Sequence, residues 1–230
     1  MTNEGKPVSL FLALAEWAGG RIMDAFRPPK PTLIISYLTP EEIMTRDRIK
    51  KIQSKIGVEV DGFWGPKSIA ACQSYLRSLM PKDANWPRAS QESLQGFYGS
   101  PGDESKLVSV NVEGLGLRYD GKPVKSIRCH DKVADSLKRV LESLAKTHPD
   151  ILAQYAGVFN NRPMRGGSLP SLHARGAAID LAPDTNMLKQ SWPVSADMPL
   201  EVMEAFAREG WVSAGAFWGR DAMHHEAVKV

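Results

Sequence analysis

The chain has 230 residues, of which 43% are hydrophobic and 24% are charged, and its formal net charge is +3. This composition is typical of a globular protein with enough length for one medium domain or two small ones. The charge is too small to indicate a nucleic-acid-binding protein, and no long run of lysine or arginine adds to it. The two cysteines, Cys72 and Cys129, match no metal or redox spacing, so we expect buried thiols or a reducing compartment.

The N-terminal segment contains a short apolar run, Val8 to Ala15, and ends in a proline-rich stretch. The run is at the lower length limit for a signal peptide, Glu16 interrupts it, and it is too short to span a bilayer. Its apolar residues recur at helical spacing, which predicts an amphipathic helix and a Pro-rich linker over residues 1–32. Two roles stay open for this helix: packing on its own domain, or contact of residues 8–26 with a membrane surface.

Residues 33–80 predict two helices around a glycine turn. Thr39 is an N-cap residue, Pro40 occupies the first helical position, and Glu42 completes a capping box. Gly57 ends this helix. Both helices contain apolar residues at helical spacing: Ile49, Ile52, Ile56, Ile69, Cys72, Tyr75 and Leu76.

The turn between these helices carries the motif VDGFWGP, which begins at Val60 and ends at Pro66. Together with the preceding Ile-Gln pair, the motif resembles the peptidoglycan-binding domain type 1, a three-helix module. The resemblance covers residues ~39–80 and implies binding of a glycan strand or stem peptide. It makes Asp61 and Trp64 candidate substrate-binding residues. Most of the motif also builds the fold, and Trp64 stands where a small residue or Tyr is more usual.

Residues 81–103 are rich in Pro, Gly, Ser and Asn, and we interpret them as a linker. Residues 104–230 alternate extended stretches with two amphipathic helices, HDKVADSLKRVLESLAKTH and MPLEVMEAFAREGW. The predicted strands are LVSVNV, LGLRY, VKSIRC, AAIDLA and GWVSAGAFWG, and a turn at Asp120-Gly121 joins the second and third. The order predicts an α+β domain with a small, mostly antiparallel sheet, preceded by the three-helix domain.

Histidines and carboxylates are concentrated in two short segments, SLHARGAAID and DAMHHE. A catalytic zinc site needs three imidazole or carboxylate ligands, an open position for water, and a nearby carboxylate that accepts the proton of this water. His173, Asp180 and one of the two histidines in DAMHHE supply the ligands, and Asp221 or Glu226 supplies the carboxylate. The alternative is that all are surface groups or ordinary hydrogen-bonding partners. Two other histidines are predicted to be caps or core partners: His130 and His148.

The same two segments, with their flanks FNNRPMRGGSLP and REGWVSAGAFWGR, resemble the M15 family of zinc peptidases over residues ~95–228. The family pattern S-x-H-x-x-G-x-A-x-D, followed by a distant [DE]-x-x-H, is filled by Ser171, His173, Gly176, Ala178, Asp180, Asp221 and His224. The resemblance implies one zinc ion per chain, bound by His173, Asp180 and His224. It also implies that Asp221 is the general base.

An upstream arginine that stabilises the oxyanion is also implied by the resemblance. Arg162 fits this role best, and Arg165 is its competitor. Ser171 and Trp218 are candidate substrate-binding residues beside the metal. His225 stands where the family more usually has Phe, and an extended DAMHHE segment would point it away from His224.

These resemblances predict a modular peptidoglycan hydrolase of the phage or prophage endolysin type, which cuts stem peptides at the L-Ala–D-Glu bond with zinc-activated water. D-Ala-D-Ala carboxypeptidase activity and a non-catalytic wall-binding protein stay as alternatives. We expect a monomer whose partner is peptidoglycan, made in the host bacterial cytoplasm without a signal peptide and acting on the cell wall in the periplasm. The scissile bond stays open because specificity depends on pocket shape. The route across the inner membrane and the role of residues 1–32 also stay open.

Overall fold

The computed structural model describes residues 38–230, of which Thr39–Val230 form one compact unit. The helix and linker predicted for residues 1–32 lie outside the described residues. No helix within residues 38–230 has the length and apolar character needed to cross a membrane. In chain order the unit contains α1 (Pro40–Ile56), α2 (Pro66–Leu79), α3 (Gln91–Tyr98), β1 (Leu107–Asn111), β2 (Arg118–Tyr119), β3 (Lys122–Pro123), β4 (Ser126–His130), α4 (Ala134–Thr147), α5 (Pro149–Leu152), β5 (Tyr155–Gly157), β6 (Ala178–Leu181), α6 (Leu200–Arg208), β7 (Val212–Ser213), α7 (Ala214–Trp218) and β8 (His224–Glu226).

The first two helices of the described residues, α1 and α2, begin and end where local chemistry predicts. Thr39 Oγ1 accepts a hydrogen bond from the backbone N–H of Glu42, whose carboxylate accepts one from the backbone N–H of Thr39. Helix α1 ends at Gly57, which adopts the left-handed conformation (φ 75°), and α2 begins at Pro66. The capping-box and glycine predictions are confirmed. The resemblance implies a third helix, whereas residues 38–80 contain these two.

Helices α1 and α2 pack directly on the C-terminal half of the unit. The carboxylate of Glu204 on α6 accepts a hydrogen bond from the Tyr75 hydroxyl (3.0 Å) and pairs with Lys55 Nζ (2.7 Å). The ring of Trp64 meets the buried ring of Trp192 edge-on, with centroids 5.3 Å apart. One continuous hydrophobic core includes residues from both halves. The hydrophobic core is therefore continuous across the domain boundary predicted near residue 80.

The composition of residues 81–103 predicts a linker, but the structure contains a packed helix there. Ser90 caps α3, and the side chains of Leu94 and Tyr98 are buried in the core. The Tyr98 hydroxyl donates a hydrogen bond of 2.6 Å to the carbonyl of Ala227 near the C-terminus. The Gly and Ser residues that indicate a flexible linker serve as helix caps here, so this segment is part of the folded unit.

Three groups of antiparallel strands form the β structure, which confirms the predicted α+β fold with antiparallel sheets. The largest has four strands in the order β5-β6-β8-β7, and β1 pairs with β4. The turn at Asp120-Gly121 closes a short hairpin of β2 and β3, with positive φ at both residues (47° and 73°). The segment VKSIRC follows this hairpin and contains β4, which pairs with β1.

The segment GWVSAGAFWG, predicted as a strand, is a strand only at β7 and continues as helix α7. Small side chains allow this short helix to approach its neighbours: a Cβ on Gly215 would lie 2.8 Å from the Cβ of Ala222. The prediction was wrong because a short apolar run is compatible with a buried strand and with a buried helix.

Candidate functional site

Two neighbouring strands bring an aspartate and a histidine together. In the antiparallel pair of β6 and β8, Asp180 lies directly opposite His224. Because side chains alternate between the faces of a strand, Glu226 shares the face of His224, and His225 points to the other face. The register of these strands therefore places Asp180, His224 and Glu226 next to one another.

A tight turn positions His173 beside this pair. Ser171 caps the 3₁₀ turn Leu172–Arg175, and its hydroxyl accepts a hydrogen bond from the backbone N–H of His173 (3.3 Å). The turn ends at Gly176 in the left-handed conformation (φ 66°). A Cβ on Gly176 would lie 2.7 Å from Cδ2 of Leu107 and 2.9 Å from the backbone nitrogen of His130. Only glycine fits this turn, because both the backbone conformation and the space exclude a side chain.

The three buried side chains converge on one point. His173 Nε2 lies 3.2 Å from Asp180 Oδ1 and 3.1 Å from His224 Nδ1, and His224 Nδ1 lies 3.0 Å from Asp180 Oδ1. Zinc binds such atoms at about 2.0–2.1 Å, which in a tetrahedral arrangement separates neighbouring ligand atoms by about 3.3 Å. The triangle formed by these three atoms therefore fits a small cation, and this group is a candidate metal site.

Hydrogen bonds on the outer side of each imidazole fix its orientation. His173 Nδ1 lies 2.7 Å from the carbonyl oxygen of Val158, and His224 Nε2 lies 3.1 Å from a carboxylate oxygen of Glu226. Both oxygens only accept hydrogen bonds, so both of these nitrogens carry hydrogen. The lone pairs of His173 Nε2 and His224 Nδ1 then face Asp180, as metal binding requires.

The electrostatics of the group favour a positive charge at its centre. Burial lowers the pKa of His224, but hydrogen bonds to Asp180 and Glu226 outweigh burial and raise this pKa to about 10. Burial raises the pKa of Asp180, but hydrogen bonds to His173 and His224 outweigh it and hold this pKa below its usual range. The carboxylates therefore attract a cation to the site, either a proton on imidazole or a metal ion.

Asp221 lies at the edge of the group in an unusual environment. Its backbone has φ 58°, which is uncommon for a residue other than glycine, and its carbonyl accepts a hydrogen bond from the N–H of His224 (2.9 Å). Its Oδ1 atom is buried and has no hydrogen-bond partner within residues 38–230. Burial also raises the pKa of the Asp221 carboxyl. A partly buried carboxylate with an unpaired buried oxygen, on a strained backbone, is typical of a functional group.

Two cavities share four residues in their walls: Arg162, Arg165, His173 and Asp180. The first, of about 540 Å³, is the hairpin lobe, lined in addition by Tyr119, Ser126, Arg128, Tyr155, Phe159 and Asn160. The second, of about 430 Å³, is the tryptophan lobe, lined in addition by Ser171, Leu188, Trp218, Arg220, Asp221 and His224. Because His173 and Asp180 line both lobes, the two lobes adjoin at the candidate metal site, and together they form the cleft.

Most of the site residues predicted from the sequence meet in the tryptophan lobe: Arg162, Ser171, His173, Asp180, Trp218, Asp221 and His224. Arg162 and Arg165 both line both lobes, so their positions do not show which of the two arginines stabilises the oxyanion. Asp61 and Trp64 line neither lobe. Asp61 Oδ1 accepts hydrogen bonds from Gln53 Nε2 (2.7 Å) and from the backbone N–H of Phe63 (2.8 Å), which holds the turn together.

The structure also shows where the second of the two adjacent histidines, His225, lies. The ring of His225 is buried and stacks on Phe206, with centroids 3.9 Å apart, and its Nδ1 lies 2.8 Å from the Ser213 hydroxyl. The prediction that His225 faces away from His224 is confirmed.

Several features of the cleft are missing from the sequence prediction, which names Glu226 only as a possible proton acceptor. The contact between Glu226 and His224 could have been found from the two-residue spacing within a strand. The residues of the hairpin lobe, including Tyr119 and Arg128, carry no local signal. They reach the site only because the β1–β4 pair and the β2–β3 hairpin pack beside it.

Comparison with family models matches residues 165–227 to a model described as D-alanyl-D-alanine carboxypeptidase, from the M15 peptidases. No match was found among curated proteins or among solved structures. The matched range contains Asp221 and all three residues of the candidate metal site. Residues 165–227 are therefore similar to the M15 peptidases, and they contain the buried group formed by His173, Asp180 and His224.

Proposed function

We propose that the chain is a zinc-dependent peptidoglycan hydrolase that cuts the L-Ala–D-Glu bond inside stem peptides. The observation that carries this proposal is the cleft, whose two lobes of about 540 and 430 Å³ both have His173 and Asp180 in their walls and otherwise reach different residues. A carboxypeptidase removes a terminal residue and needs space for one residue beyond the scissile bond. An endopeptidase needs space for chain on both sides, as this cleft provides.

The donor set supports zinc as the metal. Two imidazole nitrogens and one carboxylate oxygen lie at the mutual distances expected of tetrahedral ligands, and hydrogen bonds fix the orientation of both imidazoles. Three protein ligands leave a fourth position open, as in catalytic zinc sites. A zinc ion held by these residues would supply Lewis acidity, which polarises a peptide carbonyl and makes water nucleophilic at neutral pH.

Other residues of the cleft carry out proton transfer, stabilisation of the oxyanion and contact with the substrate. Asp221 presents a carboxylate without a protein partner beside His224, so it can accept the proton of the attacking water and deliver it to the leaving amine. Arg162 or Arg165 stabilises the charge that develops on the carbonyl oxygen, since both line the cleft next to His173 and Asp180. Ser171 positions the His173 backbone, and Trp218 offers a half-exposed ring to the substrate.

Binding to the cell wall by the two-helix segment is part of the proposal. The support is the VDGFWGP motif and the exposure of two apolar side chains in its turn, Val60 (49%) and Phe63 (71%). A glycan would contact these two residues and not Trp64, because Trp64 packs against Trp192. The proposed protein is a monomeric endolysin, made in the host cytoplasm and acting on peptidoglycan in the periplasm.

Mass spectrometry of peptidoglycan digested by the protein tests the bond that is cut. New N-terminal D-Glu together with new C-terminal L-Ala is the expected result. Release of free D-Ala alone would establish the carboxypeptidase alternative. Intact peptidoglycan after incubation with zinc-loaded protein would favour the non-catalytic wall-binding alternative.

Substitution of Asp221 tests its role. Asp221→Asn keeps the shape of the side chain but removes its basicity, so we expect zinc to stay bound and hydrolysis to fall by about 100-fold or more. The matched control is Asp184→Asn, the same change at an exposed carboxylate that lines neither lobe. Loss of zinc from the Asp221 variant would instead show that Asp221 is a ligand.

A further inference from the structure

We propose that the hairpin lobe is a saccharide subsite, which holds the muramyl sugar on the acyl side of the scissile bond. This inference rests on the proposed L-Ala–D-Glu specificity. In peptidoglycan the L-Ala residue is joined directly to the lactyl group of the sugar, so cleavage after L-Ala brings a sugar ring within one residue of the reacting carbonyl.

The walls of the lobe suit a sugar ring. The ring of Tyr119 is 51% exposed and meets Tyr155 edge-on, with centroids 6.4 Å apart. The guanidinium of Arg128 lies 5.7 Å from the centroid of Phe159, which lines the same lobe. Aromatic faces pack against the C–H face of a pyranose, and a volume of about 540 Å³ is within the range of small-molecule sites.

Three arginines line the lobe: Arg128, Arg162 and Arg165. Arg128 is paired with Glu104 at 2.7 Å, so its charge is compensated within the protein. Among the described lining residues, the one carboxylate is that of Asp180, which belongs to the candidate metal site. Ser126 and Asn160 add hydrogen-bonding groups that match hydroxyl and acetamido substituents. Ser126 and Asn160 therefore suit a polyhydroxylated ring, whereas Arg162 and Arg165 are the two arginines assigned above to the carbonyl oxygen.

The position of Asp221 determines which side of the substrate enters each lobe. Asp221 lines only the tryptophan lobe. A group that delivers a proton to the leaving amine must lie within hydrogen-bonding distance of it, so the amine side, beginning with D-Glu, belongs in the tryptophan lobe. The acyl side then falls in the hairpin lobe. On that side the substrate has a single amino acid before its sugar, so the lobe receives the sugar and not a longer peptide.

The test compares two substrates of the zinc-loaded full-length protein that differ only in the sugar. One is a muropeptide with its disaccharide, and the other is the same stem peptide with N-acetyl-L-Ala in place of the sugar-linked residue. We expect kcat/KM to be at least about 10-fold higher for the sugar-bearing substrate. Tyr119→Ala should abolish this preference by lowering kcat/KM for the muropeptide alone, whereas Tyr119→Phe, which keeps the ring, should retain it.

Lys122→Ala is the matched control, because Lys122 pairs with Tyr119 in the same hairpin but does not line the lobe. A second measurement is binding of N-acetylmuramyl-L-alanine, which should be weakened about 10-fold by Tyr119→Ala and left unchanged by Lys122→Ala. Equal cleavage of both substrates at L-Ala–D-Glu would overturn the saccharide subsite and leave the proposed function intact. Cleavage of neither substrate at that bond would overturn the proposed function, and the subsite with it.

Discussion

Glu226 accepts a hydrogen bond of 3.1 Å from Nε2 of His224, which lies two residues earlier on the same strand. The other nitrogen of this ring, Nδ1, lies 3.0 Å from Asp180 Oδ1. The imidazole is thus held between two carboxylates, one at the candidate metal site and one behind it. A carboxylate behind a histidine ligand fixes the ring and raises its basicity, so Glu226 is expected to strengthen metal binding.

Removal of this carboxylate should weaken zinc binding without unfolding the protein. We expect Glu226→Ala to lower the zinc affinity by about 10–100-fold, and Glu226→Gln, which keeps an acceptor oxygen, to lower it less. Competition with a chromogenic chelator measures both affinities. The control is Glu142→Ala, at a side chain on α4 that is 47% exposed. Wild-type affinity in the alanine variant would show that Glu226 does not support the metal site.

The opposite orientations of His224 and His225 were predictable for an extended DAMHHE segment, although this segment is not among the predicted strands. The spacing of Asp221, His224 and Glu226 in DAMHHE is visible in the sequence, and alternation along a strand places His224 and Glu226 on one face. The capping box at Thr39 and the helix end at Gly57 were predictable because their signals are also local.

The hairpin lobe and the packing of α1 and α2 were not predictable, because they depend on contacts between residues far apart in the chain. Tyr119 approaches His173 only through the folding of β2 and β3 beside β5. Residues 81–103 were misjudged because their Pro, Gly and Ser content does not distinguish a flexible linker from the turns and caps of a packed segment.

The two adjacent histidines of β8 should respond to substitution in opposite ways. His224→Ala removes a donor atom and should strip zinc and activity together. His225→Phe should keep both, because His225 faces the core and stacks on Phe206. Burial lowers the pKa of His225 to about 3, and its Nε2 has no partner within residues 38–230, so phenylalanine also removes a buried unsatisfied nitrogen.

Metal analysis and thermal unfolding of both variants check this expectation. The His225 variant should have a melting temperature equal to or above that of the wild type. Its loss of the hydrogen bond to Ser213 is offset by the removal of the unpaired nitrogen. Zinc lost from the His225 variant and kept in the His224 variant would reverse the assignment.

Trp64 is expected to act in stability and not in sugar binding. Trp64→Ala removes the edge-on contact with Trp192 and should lower the free energy of unfolding by about 2 kcal/mol, less than for a fully buried tryptophan. Phe63→Ala, at the neighbouring exposed ring, should change it by less than about 0.5 kcal/mol. Denaturant unfolding measures both changes, and sedimentation with purified cell walls measures binding. A loss of wall binding by the folded Trp64 variant, with the Phe63 variant unaffected, would contradict this assignment.

His130 should make the folded state less stable at acid pH. Its side chain is buried, Nε2 donates a hydrogen bond to the carbonyl of Tyr98 (3.0 Å), and Nδ1 accepts one from the backbone N–H of Lys132. Burial lowers the pKa of His130, and the positive charges of Lys132 and Lys106 lower it further. The Tyr98 carbonyl and Asp131 raise this pKa, but burial outweighs them.

The unfolded chain therefore takes up a proton at His130 near pH 6.5, its ordinary pKa, whereas the folded chain takes it up only at lower pH. The contribution to stability is complete above pH 6.5 and is lost as the pH falls toward the folded pKa, with a slope of at most about 1.4 kcal/mol per pH unit for one proton. His130→Gln should lower stability at every pH but reduce the slope below pH 6.5. Urea unfolding of both proteins in the same buffers between pH 5 and 8 measures the slopes, and identical slopes would show that His130 is protonated equally in the folded and unfolded states.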